Sequence, residues 1–150
     1  MPKAPPPLDV TQLALPISLL RTRELVMERF RPLLLARGVT EQQWRVLRVL
    51  EEVKSADAST VADHACLMLP SLTRIIRTLS DAGWVDSHKD PEDGRRTLLE
   101  ITSDGRAFLA DAAHESAAIY NEIEAAIGPD TLETLQTLLV TVRRALKETD

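Results

Sequence analysis

Residues 69 to 106, LPSLTRIIRTLSDAGWVDSHKDPEDGRRTLLEITSDGR, restrict the fold more than any other stretch of the chain. From Pro70 to Ala82 the apolar residues Leu72, Ile75, Ile76 and Leu79 recur at i, i+3, i+4 and i+7, which predicts a helix with one buried face. Pro70 opens it without cost, because an N–H in the first turn has no helical partner to lose, and Gly83 supplies the left-handed residue that ends it. A short run from Trp84 to Lys89, a turn Asp90-Pro91-Glu92-Asp93-Gly94 and a second run from Arg96 to Ile101 then read as a β-hairpin with a charged tip.

A helix with small polar and basic residues outward, followed at once by a hairpin with two arginines near its turn, suits a winged helix-turn-helix. Serine, threonine and arginine on one helix face can reach base edges and phosphates in a major groove about 12 Å wide. Arginine at a thin hairpin tip can enter the minor groove, where the negative potential is strongest. The rest of the chain fits this frame. A helix from about Pro16 to Ala36 carries Leu20, Arg23, Met27, Phe30 and Leu34 on one stripe. Thr40-Glu41-Gln42-Gln43 is a capping box opening a helix to about Val53, with Leu47, Leu50 and Val53 inward and Glu41, Arg45, Arg48 and Glu52 as paired surface charges. A loop rich in Ser, Ala and Asp leads to a short helix from Ser59 to Cys66, capped by Ser59 or Thr60, with Val61, Ala62 and Ala65 facing the core. This helix and the one from Pro70 form the helix-turn-helix pair. Thr102 can cap a long helix to about Ile127, and Gly128-Pro129 starts a last one to about Lys147. The expected fold is therefore mainly α, with six helices and a small β-hairpin wing.

Charge enters because a net charge of −5 is unusual for a DNA-binding chain. From Ala107 onward there are eight acids and three bases, so the acidity is expected to sit mostly at the C-terminal end, leaving Arg74, Arg77, Lys89, Arg95 and Arg96 free to form a local basic surface. The last helix, with Leu132, Leu135, Leu138, Leu139, Val142 and Leu146 on a wide stripe, has no obvious intrachain partner, which points to a symmetric homodimer. Pro2, Pro5, Pro6 and Pro7 make residues 1 to 12 an extended arm. No apolar run approaches the roughly 18 residues of a membrane span, no signal pattern opens the chain, and a single cysteine forbids an intrachain disulfide. A cytoplasmic protein with no membrane partner is expected.

Enzyme chemistry finds no support in the motifs. His64, His88 and His114 are scattered with no metal-ligand spacing, and neither a phosphate-cradling glycine loop nor a nucleophile elbow is present. No metal or cofactor is expected. Two non-enzymatic alternatives stand beside DNA binding with a small effector: a redox-responsive regulator using Cys66, against which a buried structural cysteine is the simpler reading, and a winged helix that binds only protein.

The segments LPISLLRTRE, RFRPLLL, VTEQQWRVLRVL, ACLMLPSLTRI and DPEDGRRTLLEIT, spanning about Leu15 to Thr102, resemble the MarR family of bacterial regulators, and most nearly its branch that represses homoprotocatechuate (3,4-dihydroxyphenylacetate) degradation. The resemblance implies a single 150-residue domain in which residues 1–38 and 107–150 dimerise and 39–106 form the DNA-binding lobe. It implies a homodimer on a palindromic double-stranded operator, with Ser71, Thr73 and Arg74 facing bases, Arg77 a phosphate, Arg95 in the minor groove, Asp93 holding the Arg95 guanidinium, and Arg96 on the DNA backbone. It also implies release by a small aromatic acid, for which Arg21 or Arg23 can meet the carboxylate and Trp44 the ring. Leu69 departs from the family pattern, where a basic or polar residue is common.

Overall fold

The computed structural model describes residues 14–147, so the arm expected over residues 1 to 12 lies outside the described residues. The elements run α1 (Leu15–Ala36), α2 (Glu41–Val53), β1 (Ser55–Asp57), α3 (Ala58–His64), α4 (Leu69–Asp81), β2 (Val85–Lys89), β3 (Thr97–Ile101), α5 (Ser103–Ile127) and α6 (Pro129–Lys147). They divide into two compact units. Phe30–His114 is one; the described residues up to Arg29 and from Glu115 onward are the other.

The Phe30–His114 unit is built on one hydrophobic cluster. Val46, Leu47 and Leu50 of α2, Val61 and Ala62 of α3, Leu72 and Leu79 of α4, Val85, Leu99 and Ile101 of the strands, and Leu109 of α5 are all buried in it. The capping box forms as expected: Gln43 N–H donates to Thr40 Oγ1 at 3.1 Å and Thr40 N–H to Gln43 Oε1 at 3.0 Å. On the outer side of α2, Arg45 lies 3.9 Å from Glu41, but Arg48 pairs with Glu51 at 2.8 Å rather than with Glu52. Residues three apart on a helix are neighbours as much as residues four apart, and Arg48 takes the nearer acid.

Two expectations fail between α2 and α3. The supposed loop contains β1, which pairs antiparallel with β3 through Ser55↔Glu100, Ala56↔Leu99 and Asp57↔Leu98, so the sheet has the order β1-β3-β2. Three residues are too few to show alternation, and the strand exists because β3 offers it a free edge. The cap of α3 is Asp57, whose Oδ1 accepts the Thr60 N–H at 2.8 Å, not Ser59 or Thr60. A cap acts on the N–H two or three residues ahead, and Asp57 stands at that distance from Thr60.

The chain then closes the lobe at α5. Thr102 Oγ1 accepts the Gly105 N–H at 3.0 Å as the expected cap and donates to Gly83 O at 2.7 Å, while Thr102 N–H donates to Trp84 O at 2.9 Å. Gly105 is buried where a Cβ would meet Trp84 O at 2.4 Å, so the first turn of α5 lies directly on the backbone entering the hairpin. Trp84 stacks on Phe108 (ring centroids 4.1 Å apart, 22° between planes), and Trp44 meets Phe108 edge to face at 6.2 Å.

In the other unit, α6 has no buried residue; Leu138 is 57% and Leu146 67% exposed. Leu15, Leu19, Leu20 and Leu25 at the start of α1 are exposed as well. The stripe read on α1 is therefore buried only at its C-terminal end, at Phe30 and Leu34.

Candidate nucleic-acid interface

Helix α3 ends in a tight reversal. Leu67 N–H donates to Ala62 O at 2.9 Å and Cys66 N–H to Asp63 O at 3.1 Å, with Cys66 at φ +54°. This is the six-residue closure usually completed by glycine. It places Cys66 outside the core: the side chain is exposed, not the buried packing residue the sequence suggested. A left-handed residue at a helix end turns its Cβ away from the helix it terminates, and an apolar-looking cysteine gives no warning of that.

Helix α4 begins at Leu69, one residue earlier than expected, after Met68, which makes no side-chain cap. Pro70 remains in the first turn, where its missing N–H costs no helical bond. Leu72 and Leu79 are buried and Ile75 and Ile76 half-buried, which turns Thr73, Arg74, Arg77 and Thr78 outward and leaves Ser71 half-buried beside them. Thr73 and Thr78 each return a hydroxyl hydrogen to the carbonyl four residues back, at 3.1 and 3.2 Å. Their oxygens still present lone pairs to an incoming donor. Ser71, Arg74, Ile75 and Thr78 also line a shallow groove whose opposite wall is Thr40, Gln42 and Gln43 at the start of α2.

The hairpin pairs Val85↔Ile101 through Lys89↔Thr97. At its turn Asp90 N–H donates to Arg96 O at 2.9 Å and Arg96 N–H to Asp93 O at 3.0 Å. Asp93 holds Arg95 by the backbone: its Oδ1 accepts the Arg95 N–H at 3.1 Å, and no bond to the guanidinium is formed. An aspartate two residues before an N–H is well placed for this local turn, so the contact expected for the Arg95 head goes to its main chain. Arg96 does not join a free basic surface. Its guanidinium donates to Asp57 Oδ2 at 2.7 Å and lies 3.9 Å from Asp90. The Thr60 hydroxyl and N–H, then the Arg96 guanidinium, hold the Asp57 carboxyl down at a pKa of about 2.

Arg21 and Arg23 are exposed on α1, and Arg23 lies 3.3 Å from Glu24, its neighbour in sequence. Trp44 is half-buried at the rim of the lobe's core, packed on Phe108. Two contributors to the geometry escaped sequence reasoning: Asp57, whose spacing to Thr60 was the available signal, and Gly105, marked only by standing three residues after a capping threonine. Among the described residues no group of three His, Cys, Asp or Glu side chains is arranged to hold a metal, and no helix is long and apolar enough to cross a membrane.

The charge pattern also needs correcting. Residues 39 to 106 hold twelve acids and nine bases, so acidity is not confined to the C-terminal end. Arg45, Arg48 and Arg96 have carboxylates within 4.0 Å; among the described residues the other six bases, Lys54, Arg74, Arg77, Lys89, Arg95 and Arg106, have none, and of these Arg74 and Arg77 stand on the outward face of α4 and Arg95 at the hairpin turn.

Comparison with known proteins agrees with this geometry. The MarR family model matches residues 39–97, which run from the entry to α2 to the first residue of β3. The HTH-type transcriptional regulator FarR of Neisseria gonorrhoeae is 37% identical over 82% of this chain and 84% of its own. The homoprotocatechuate degradative operon repressor of Escherichia coli is 36% identical over 84% of this chain and 85% of its own. The crystal structure of NadR in complex with 4-hydroxyphenylacetate superposes with a TM-score of 0.84 at 32% identity, covering 91% of this chain and all of that one. With a winged helix-turn-helix that leaves Arg74, Arg77 and Arg95 without a carboxylate partner among the described residues, and relatives of this similarity along most of its length, the chain belongs to the MarR family and is a transcriptional regulator, not an enzyme.

Proposed function

We propose that this regulator is a cytoplasmic homodimeric repressor of an operon for degrading an aromatic acid of the phenylacetate type. It binds a palindromic operator, and its own effector releases it. The observation that carries the DNA half is the placing of arginines that have no carboxylate partner among the described residues: Arg74 and Arg77 on the outward face of α4 and Arg95 at the hairpin turn, beside Ser71 and Thr73. In this reading Ser71, Thr73 and Arg74 contact bases, Arg77 a phosphate and Arg95 the minor groove. Residues 1–38 and 107–150 supply the dimer contacts, in keeping with an α6 in which no residue is fully buried within one chain. The effector half is supported by the relatives: one is named for homoprotocatechuate degradation and another was crystallised with 4-hydroxyphenylacetate, both phenylacetates. About 3 kcal/mol of differential affinity suffices for roughly 150-fold release.

A gel shift on the DNA upstream of its own gene, with and without 3,4-dihydroxyphenylacetate or 4-hydroxyphenylacetate, tests both halves. A shift released by either compound is expected. A shift that neither compound releases discards the effector, and no shift at low salt favours a winged helix that binds protein alone.

A further inference from the structure

Asp57 spends its two carboxylate oxygens on two different parts of the lobe. Oδ1 accepts the Thr60 N–H at 2.8 Å and so caps α3, the first helix of the helix-turn-helix; Oδ2 accepts Arg96 at 2.7 Å, from the residue immediately after Arg95. Arg96 is further fixed through its main chain, its carbonyl accepting the Asp90 N–H at 2.9 Å and its N–H donating to Asp93 O at 3.0 Å. Asp93 in turn accepts the Arg95 N–H at 3.1 Å. A continuous chain of hydrogen bonds thus runs from the N-terminus of α3 to the backbone of Arg95. The β1–β3 pairing next to it, Asp57↔Leu98, sets the register in which the two ends meet.

We infer that Arg96 is a positioning residue and not a DNA contact: by clamping the base of the wing to the Asp57 cap, it fixes where Arg95 stands relative to the recognition helix. The inference rests on the DNA-binding reading above. A hairpin two strands wide is a poor lever by itself, and an arginine that must enter a groove about 6 Å wide has to be aimed. A guanidinium held by a carboxylate cannot offer the same donors to a phosphate. It adds little to counterion release because its charge is already matched.

The test is operator affinity as a function of salt for Arg96→Met, Asp57→Asn, Arg95→Ala and the double variants, at a temperature where thermal melts find every variant folded. The Asp57→Asn side chain keeps an oxygen for the Thr60 N–H and loses the ionic pairing with Arg96, so this variant separates the clamp from the cap. Arg96→Met is expected to weaken binding about tenfold with an unchanged salt slope, Asp57→Asn to match it, and the double variant to be no worse than either. In the Arg95→Ala background, Arg96→Met should cost almost nothing. A salt slope reduced by about 0.9, with losses that multiply those of Arg95→Ala and Asp57→Asn, makes Arg96 a phosphate contact and overturns the inference. Unchanged affinity makes the clamp irrelevant to binding and overturns it too. Failure of the unaltered protein to bind at low salt instead removes the DNA reading on which it depends.

Discussion

Gly105→Ala should be the most damaging single-methyl change in the lobe. The added Cβ would stand 2.4 Å from Trp84 O, 2.7 Å from Ile101 Cγ1 and 3.2 Å from the Trp84 carbonyl carbon. Ordinary contact begins about 1 Å further out, so α5 has to lift off the backbone beneath it. That backbone cannot yield freely: Trp84 O accepts the Thr102 N–H at 2.9 Å, and Thr102 Oγ1 donates to Gly83 O at 2.7 Å while capping Gly105 at 3.0 Å. Overpacking of this kind costs about 1–3 kcal/mol, and stretching two of these bonds adds roughly 1–2 kcal/mol. The better helix propensity of alanine returns up to about 1 kcal/mol. The net loss is about 1–5 kcal/mol, centred on about 3, and that centre is roughly 6–12 °C in Tm for a chain of this size. Urea titration followed by tryptophan fluorescence reads it directly, since Trp84 stacks on Phe108 one turn along α5. Protein concentration is held fixed to exclude any contribution from association. Gly94→Ala is the control: nothing lies within 4 Å of its Cβ, and a change within about 0.5 kcal/mol is expected. A Gly105→Ala protein as stable as the original would refute the argument, by showing that α5 can shift without disturbing the hairpin.

Cys66→Val should cost about 1–3 kcal/mol in chemical denaturation although the side chain is exposed, because a β-branched residue is strained at φ +54°; Cys66→Gly should show no such loss. Asp57, held down at about 2, favours the folded state above its unfolded pKa of about 4, and that contribution is lost as the pH falls from about 4 through 2. Asp57→Asn should therefore flatten the acid limb of a stability–pH curve, and an unchanged limb would assign acid sensitivity to other groups. Arg95→Ala should weaken operator binding and reduce its salt slope by about 0.9, the share of one neutralised phosphate; an unaltered slope counts against a groove contact. Arg74→Ala should relax sequence preference as well as affinity, whereas equal loss on every DNA sequence would make Arg74 a phosphate ligand.

How far a residue can be read before folding depends on how local its signal is. Leu72 and Leu79, Gly83, the Thr40–Gln43 box and the Thr102 cap are local: their signals lie within about one helical turn, and the structure realises each one. Strand β1, the Asp57–Arg96 pair and Gly105 are legible only in three dimensions. Asp57 and Arg96 are 39 residues apart, and nothing in either neighbourhood announces the other. Gly105 inside a helix looks like a weak propensity choice until the Trp84 carbonyl is placed against it.

The same distinction governs the charge argument for DNA binding. Counting bases along the sequence makes Arg95 and Arg96 equivalent, two adjacent arginines at a hairpin turn. Folding makes them different. Arg96 meets the carboxylate of Asp57, while Arg95 is fixed through its N–H alone and keeps its guanidinium unpaired among the described residues. A phosphate gains by counterion release only from a cation whose charge is not already matched. In a lobe with twelve acids against nine bases, affinity for DNA therefore depends on which arginines the fold leaves unmatched. The acids contribute by occupying three of the arginines: Glu41, Glu51 and Asp57 hold Arg45, Arg48 and Arg96 at the protein surface. Of the bases with no carboxylate within 4.0 Å among the described residues, Arg74 and Arg77 stand on the outward face of α4 and Arg95 at the hairpin turn, where the winged helix meets the polyanion. Neutralising Asp57 removes one negative charge from the lobe, yet it is expected to weaken operator binding, because the clamp that aims Arg95 is lost with it.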